Sequence, residues 1–195
     1  MIDINMMIFT VGHSTHPIGE FIRILDAFEI KQVIDVRTIP RSRHNPQFNE
    51  EELRNNLHQH GIEYARLEGL GGLRHTTEKS GNTAWKNASF RGFADYMQTP
   101  DFSKSMDELV ELAGKKRSVI MCAEAVPWRC HRSLIGDALL ILNIGVVDIY
   151  NETHSKPHLL TPWAVVDGNT ITYPDPAFLP ADATATEEDT SLPQE

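Results

Sequence analysis

Five short apolar runs recur along the first 150 residues, at 7–11, 33–36, 62–67, 119–122 and 146–150. Each opens into a cluster of polar or ionisable side chains: "GHSTH", "DVRTIPRSRHN", "EGLGGLR", "CAEAVPWRCHR" and "NETHSKPH". Runs this short, apolar and β-branched read as strands buried on both faces. Between them lie stretches with helical spacing, such as Ile18, Phe21, Ile22, Leu25 and Phe28. Strands that alternate with helices build a parallel sheet covered on both sides. The expected fold is therefore α/β, a three-layer, mostly parallel sheet with helices on both faces. In such sheets ligands bind outside the carboxyl ends of the strands, where these clusters fall.

The punctuation fits this order. Pro17 stands where the first helix begins. Asn49 and Glu52 have the spacing of a capping box that opens a helix over 50–60, stopped by Gly61. Thr99-Pro100 is an N-cap followed by proline in the first helical turn. Phe102, Met106, Leu109, Val110 and Ala113 then form one stripe, ended by Gly114. Residues 132–143 are an almost wholly apolar helix. Residues 163–166 and 170–173, joined by Asp167-Gly168-Asn169, read as a C-terminal hairpin. Residues 68–90 have few apolar anchors and read as a long loop. Gly69, Gly71 and Gly72 would hinge it as a lid, with Trp85 and Phe90 as stacking groups. No internal repeat is visible.

The 195 residues suit one domain over 1–173, followed by a disordered acidic tail over 174–195. The net charge is −9, of which the tail's six acids supply −6, leaving −3 for the rest. A near-neutral body with clustered arginines can attract an anion locally. No run approaches the roughly 18 apolar residues a membrane helix needs. "MIDINMMIFT" has no basic leader or cleavage site. Two cysteines cannot build a disulfide framework. The expectation is a soluble, cytoplasmic protein with no membrane partner.

The candidate site follows from the strand ends. Cys122 ends the fourth apolar run and is a candidate nucleophile; the bland alternative is a small core residue. Arg129, His131 and Arg132 crowd a helix N-terminus, where cations oppose the dipole unless an anion sits there. Cys130 lies in the same turn, where a thiol pKa would fall. Arg37, Arg41 and Arg43 converge on this edge. Asp35 interrupts a buried strand, as the partner of an arginine or as a general base; Glu124, further out, is the second carboxylate. His13 and Ser14 follow the first strand, and Gly71 and Gly72 offer close backbone approach. The expected catalytic residues are Asp35, Cys122 and Glu124. The expected substrate contacts are His13, Ser14, Arg37, Arg41, Gly71, Gly72, Arg129, Cys130, His131 and Arg132. A Ser/His/Asp triad lacks its nucleophile elbow. His13, His131, His154 and His158 with the two cysteines could ligate a metal, but no pair shows recognised zinc spacing; a metal is the minority reading and no metal ligands are assigned. The cofactor is unknown.

"TVGHST", "VIDVRTIPRS", the "LGG" at 70–72, and "CAE" followed by "CHR" resemble the domain-of-unknown-function 488 family. The resemblance implies a three-layer α/β fold and no assigned activity. "VIDVR" and a cysteine at a later strand end are also similar to rhodanese domains. The loop here is longer, lacks glycine, and contains Glu124 and Pro127, which suit an anion cradle poorly.

The leading functional expectation is an enzyme or binder of a phosphorylated or nucleotide-like anion. The alternatives are a cysteine-dependent, rhodanese-like transferase and a non-catalytic module for a nucleotide or nucleic-acid end. Without a basic helix or a basic–aromatic stripe, nucleic acid is not favoured.

Overall fold

Apolar strand residues alternate between two cores, and that alternation makes the layers. The computed structural model describes residues 6–175 and residue 177. In chain order these fold as β1 (Met7–Gly12), α1 (Ile18–Ala27), β2 (Gln32–Asp35), α2 (Glu50–Gln59), β3 (Glu63–Arg66), α3 (Ala88–Tyr96) and α4 (Pro100–Ala113). There follow β4 (Ser118–Cys122), α5 (Arg132–Ile141), β5 (Gly145–Asn151), β6 (His154–Pro157), β7 (Val165–Asp167) and β8 (Thr170–Thr172).

The main sheet has the order β3-β2-β4-β1-β5-β6. Its first five strands are parallel; β6 runs antiparallel on β5. Phe9, Val11, Val33, Val119 and Met121 face one core, with Phe21, Ile24 and Leu25 of α1 and Leu53 and Leu57 of α2. Ile8, Ile34, Ile120 and Cys122 face the other, with Phe93 of α3, Phe102 and Leu109 of α4, and Leu134 and Ile135 of α5. The period-two pleat sends successive residues to opposite faces. This is the expected three-layer α/β fold, and β7–β8 are the expected C-terminal hairpin, with Gly168 at positive φ in the turn. Among the described residues no helix is long and apolar enough to cross a membrane.

Several local expectations change. Asn49 does cap α2 in position, but its side-chain oxygen accepts from Ser42 N, so no capping box forms. Thr99 does cap α4 through its side chain, accepting from Phe102 N. "HSKP" is an edge strand, not a loop. The 68–90 segment is no free lid. It runs into α3, and Asp95 there accepts from Thr76, Thr77, Ser80 and Asn82. Arg74 lies 3.7 Å over the Tyr96 ring and donates to the carbonyls of Gly69 and Gly71. None of Gly69, Gly71 and Gly72 has a positive φ. Trp85 stacks on Phe90 and packs edge-on against Trp163 and Tyr173, so it is packed within the protein and not held out for a ligand. Tyr173 N donates to Asn82 and Asp175 N to Thr83, fixing the chain just past the hairpin. Of the tail expected over 174–195, residues 176 and 178–195 lie outside the described residues, as do residues 1–5.

Candidate functional site

The connection from β1 leaves past β4 toward β2, and the connection from β4 leaves past β1 toward β5. A crevice opens at the carboxyl ends where such connections part. The exit of β1 is drawn along that of β4: His13 N donates to Cys122 O and Ser14 N to Ala123 O, both at 2.9 Å. Gly12 makes this closeness feasible, since a Cβ there would collide with the backbone of Glu124 and Ala125. Ser14 is bent into the left-handed region, with φ 46°. The 122–131 loop folds back through a short turn over Pro127–Arg129, returning Cys130 and His131 to the end of β4.

Two adjoining cavities result. The larger, about 420 Å³, has Cys122, Cys130, His131, Arg129, Gly72 and Phe90 among its walls. The smaller, about 340 Å³, takes in His13, Ser14, Arg41 and Asn45. Arg37, Ile39, Ala123 and Glu124 border both.

The thiol cluster lies in the larger cavity. One ligand-capable atom from each of Cys122, Cys130 and His131 falls within a 4.8 Å group. Cys122 is 8% exposed and Cys130 3%. His131 places Nδ1 3.7 Å from Cys130 Sγ and Nε2 3.1 Å from Val36 O. A carbonyl can only accept, so Nε2 carries the proton and Nδ1 offers its lone pair to the sulfurs. Gly72 lies flat against this ring, and any Cβ there would strike the imidazole. Phe93 packs on it at 5.0 Å. The hydrogen bond from Cys130 holds the Cys122 thiol well below the usual thiol range against the opposing effect of burial; His131 and Arg132 add to it. The same contact, with burial, pushes Cys130 up.

Other expected site residues are tied into the framework by their hydrogen bonds. Asp35 is fully buried and accepts from Arg37 N, Arg37 Nε and Nη2, and Tyr64 Oη. No lone pair is left to serve as a general base. Arg37 also donates to Phe48 O and contacts His13 Nε2 at 3.2 Å, which leaves little of its five-donor fork for a substrate. His13 is 2% exposed and stacked on Phe48 at 4.1 Å. Its Nδ1 bonds Ser14 O, so Nε2 accepts from Arg37. Burial, with Arg37 beside it, lowers its pKa to about 4 despite that bond.

Arg132 departs furthest from expectation. It is completely buried and donates through Nη1 to Glu124 O and through Nη2 to Ala125 O. Neither Glu124 nor Asp35 neutralises it by an ion pair among the described residues. It clamps the loop from behind and does not line either cavity. Arg129 and Arg41 are exposed at the cavity walls, as is Glu124. Gly71 packs against Thr38, outside both linings. Arg43 is exposed and also outside them.

A second polar cluster was not expected. His158 lies between Asp148 (Nδ1, 2.9 Å) and Asp137 (Nε2, 3.2 Å). Tyr173 Oη and Thr161 N donate to Asp137, and Thr10 Oγ1 to Asp148. The visible signal was Asp137, a carboxylate inside an otherwise apolar helix.

Fold and site define a three-layer α/β protein with a cysteine-lined cleft at the carboxyl ends of its parallel strands. No curated protein and no solved structure matches the chain. The family model described as "Domain of unknown function DUF488" matches residues 17–139, and the chain belongs to that family. The matched span holds "VIDVRTIPRS", "LGG", "CAE" and "CHR"; "TVGHST" precedes it.

Proposed function

We propose that this is an enzyme that handles a small phosphorylated or nucleotide-like anion in the larger cavity, with Cys122, Cys130 and His131 as its reactive centre. The observation that carries the reading is the convergence of two thiols and an oriented imidazole on a cavity whose exposed charged groups are Arg129 and Glu124. Arg129, and Arg41 from the adjoining cavity, meet the charge of the substrate. Glu124 is the carboxylate with room to exchange a proton, since Asp35 has no free acceptor. A second reading, a rhodanese-like transferase, is favoured by the lowered pKa of Cys122 alone. Against it, the loop turns the Glu124 and Ala125 carbonyls onto Arg132, whereas an anion cradle needs N–H groups curled about the anion.

The test is alkylation of chelator-treated, reduced protein with iodoacetamide, resolved by peptide mass spectrometry. Cys122 should be modified in the folded state, and inorganic phosphate or a nucleoside monophosphate should slow it several-fold. Arg129→Ala should raise the half-protecting concentration about tenfold, the loss of one modest charged contact. Unchanged Cys122 alkylation at saturating anion would end the reading. Protection that survives Arg129→Ala would keep the cleft and remove that arginine's role.

A further inference from the structure

We infer that Cys122 Sγ, Cys130 Sγ and His131 Nδ1 are three ligands of a tetrahedral thiophilic cation of the zinc class, with the fourth position open to the larger cavity. The inference rests on the proposed function and deepens it: the anion would meet the metal's open position. A tetrahedral zinc with ordinary Zn–S and Zn–N lengths separates sulfur from nitrogen by about 3.6 Å and sulfur from sulfur by about 3.8 Å. The observed Cys130 Sγ to His131 Nδ1 distance is 3.7 Å, and all three ligand atoms lie within 4.8 Å of one another.

The orientation of His131 is an independent observation. A ligating histidine needs a free lone pair on one nitrogen and commonly donates from the other to a carboxylate or backbone carbonyl. His131 does so, with Nε2 on Val36 O. Gly72 and Phe93 fix the ring's plane. Hydrogen bonding to Cys130 alone would not need so complete a restraint.

Charge agrees. Two thiolates, a neutral imidazole and a divalent cation sum to zero, so the ligand set with its ion adds no net charge to the buried side of the site. Two thiolates and an imidazole select a thiophilic ion over magnesium or calcium. The set is three protein ligands beside a cavity, the pattern of a site that keeps one position for water or substrate. The sequence hid this. Seven residues separate the cysteines, and only the turn over Pro127–Arg129 returns Cys130 to Cys122.

The experiment titrates the reduced, full-length chain with cobalt(II) and follows absorption. The expected result is a near-ultraviolet thiolate-to-cobalt band with strong tetrahedral visible bands, saturating at one ion per chain and bleached by zinc. Cys122→Ser and Cys130→Ser should each weaken the sulfur band. His131→Gln should keep it while lowering zinc affinity by at least about 100-fold, measured by competition with a chelating dye. Circular dichroism identifies any variant that fails to fold, and His131→Gln and wild type still decide the matter in that event. No thiolate band in natively folded wild type overturns the inference. If anions still protect Cys122 from alkylation in that case, the anion cleft stands without the metal. A cobalt site whose visible bands do not change on adding inorganic phosphate, with no anion protection of the metal-free protein, would establish the metal and remove the anion from the cleft.

Discussion

Arg132 and Arg129 are separated by two residues and look interchangeable in the sequence, yet the fold gives them opposite tasks. Residue type did not fix the direction of the Arg132 side chain. The loop turns the carbonyls of Glu124 and Ala125 toward it, and they accept from its guanidinium. Arg132→Ala would remove two charge-assisted hydrogen bonds, each worth about 1.5–3 kcal/mol. A loss of about 3–6 kcal/mol in urea unfolding is expected from that sum. Arg129→Ala, at an exposed position, should stay within about 0.5 kcal/mol. Equal losses in the two variants would show that the clamp does not hold the loop. The same logic explains Asp35. That it would be paired was legible from its place in a buried strand; that Arg37 and Tyr64 would fill every acceptor was not, because it depends on β3 lying beside β2.

Among the elements, the parallel strands were legible because apolar runs buried on both faces leave few alternatives. Helix α3 was not. Its nine residues include Gly92 and carry only a short apolar stripe, so its helical period is weak. The stretch before it lacks apolar anchors because its anchor is polar. Burial pushes the Asp95 carboxyl up, but hydrogen bonds from Ser80, Thr77, Asn82 and Thr76 hold it below the usual carboxylate value. Asp95→Ala should therefore release residues 76–82 while leaving the sheet intact. Hydrogen–deuterium exchange should rise in that segment and stay unchanged in β1, β2 and β4. Uniformly faster exchange would mean that Asp95 supports the whole domain. Edge strand β6 was missed for a related reason: "HSKP" has no apolar face, and it pairs only because β5 offers a free edge.

At the scale of the molecule, the site edge was legible as a set of strand ends, but its grouping was not. Cys122, Cys130 and His131 meet through a backbone turn that no side-chain pattern announces. The buried cluster around His158 joins elements still further apart: Thr10 in β1, Asp137 in α5, Asp148 in β5, and Tyr173 beyond β8. Protonated His158 satisfies both carboxylates at once. Burial opposes its charge, but hydrogen bonds and attraction from Asp137 and Asp148 prevail, raising its pKa from 6.5 to about 9. A histidine pKa raised on folding adds stability that is full below about pH 6.5 and is lost as pH rises through about 9. The shift corresponds to about 3 kcal/mol. Denaturant unfolding measured from about pH 6 to about pH 10 should show that decline. The lost proton leaves two carboxylates facing one neutral ring, with the Tyr173 hydroxyl held well above its ordinary pKa and so still a donor. His158→Gln cannot carry the charge, so it should be less stable than wild type below about pH 9 and should flatten the slope between pH 6.5 and about 9. A slope that persists in the variant would place the titrating group elsewhere and reduce the cluster to neutral packing.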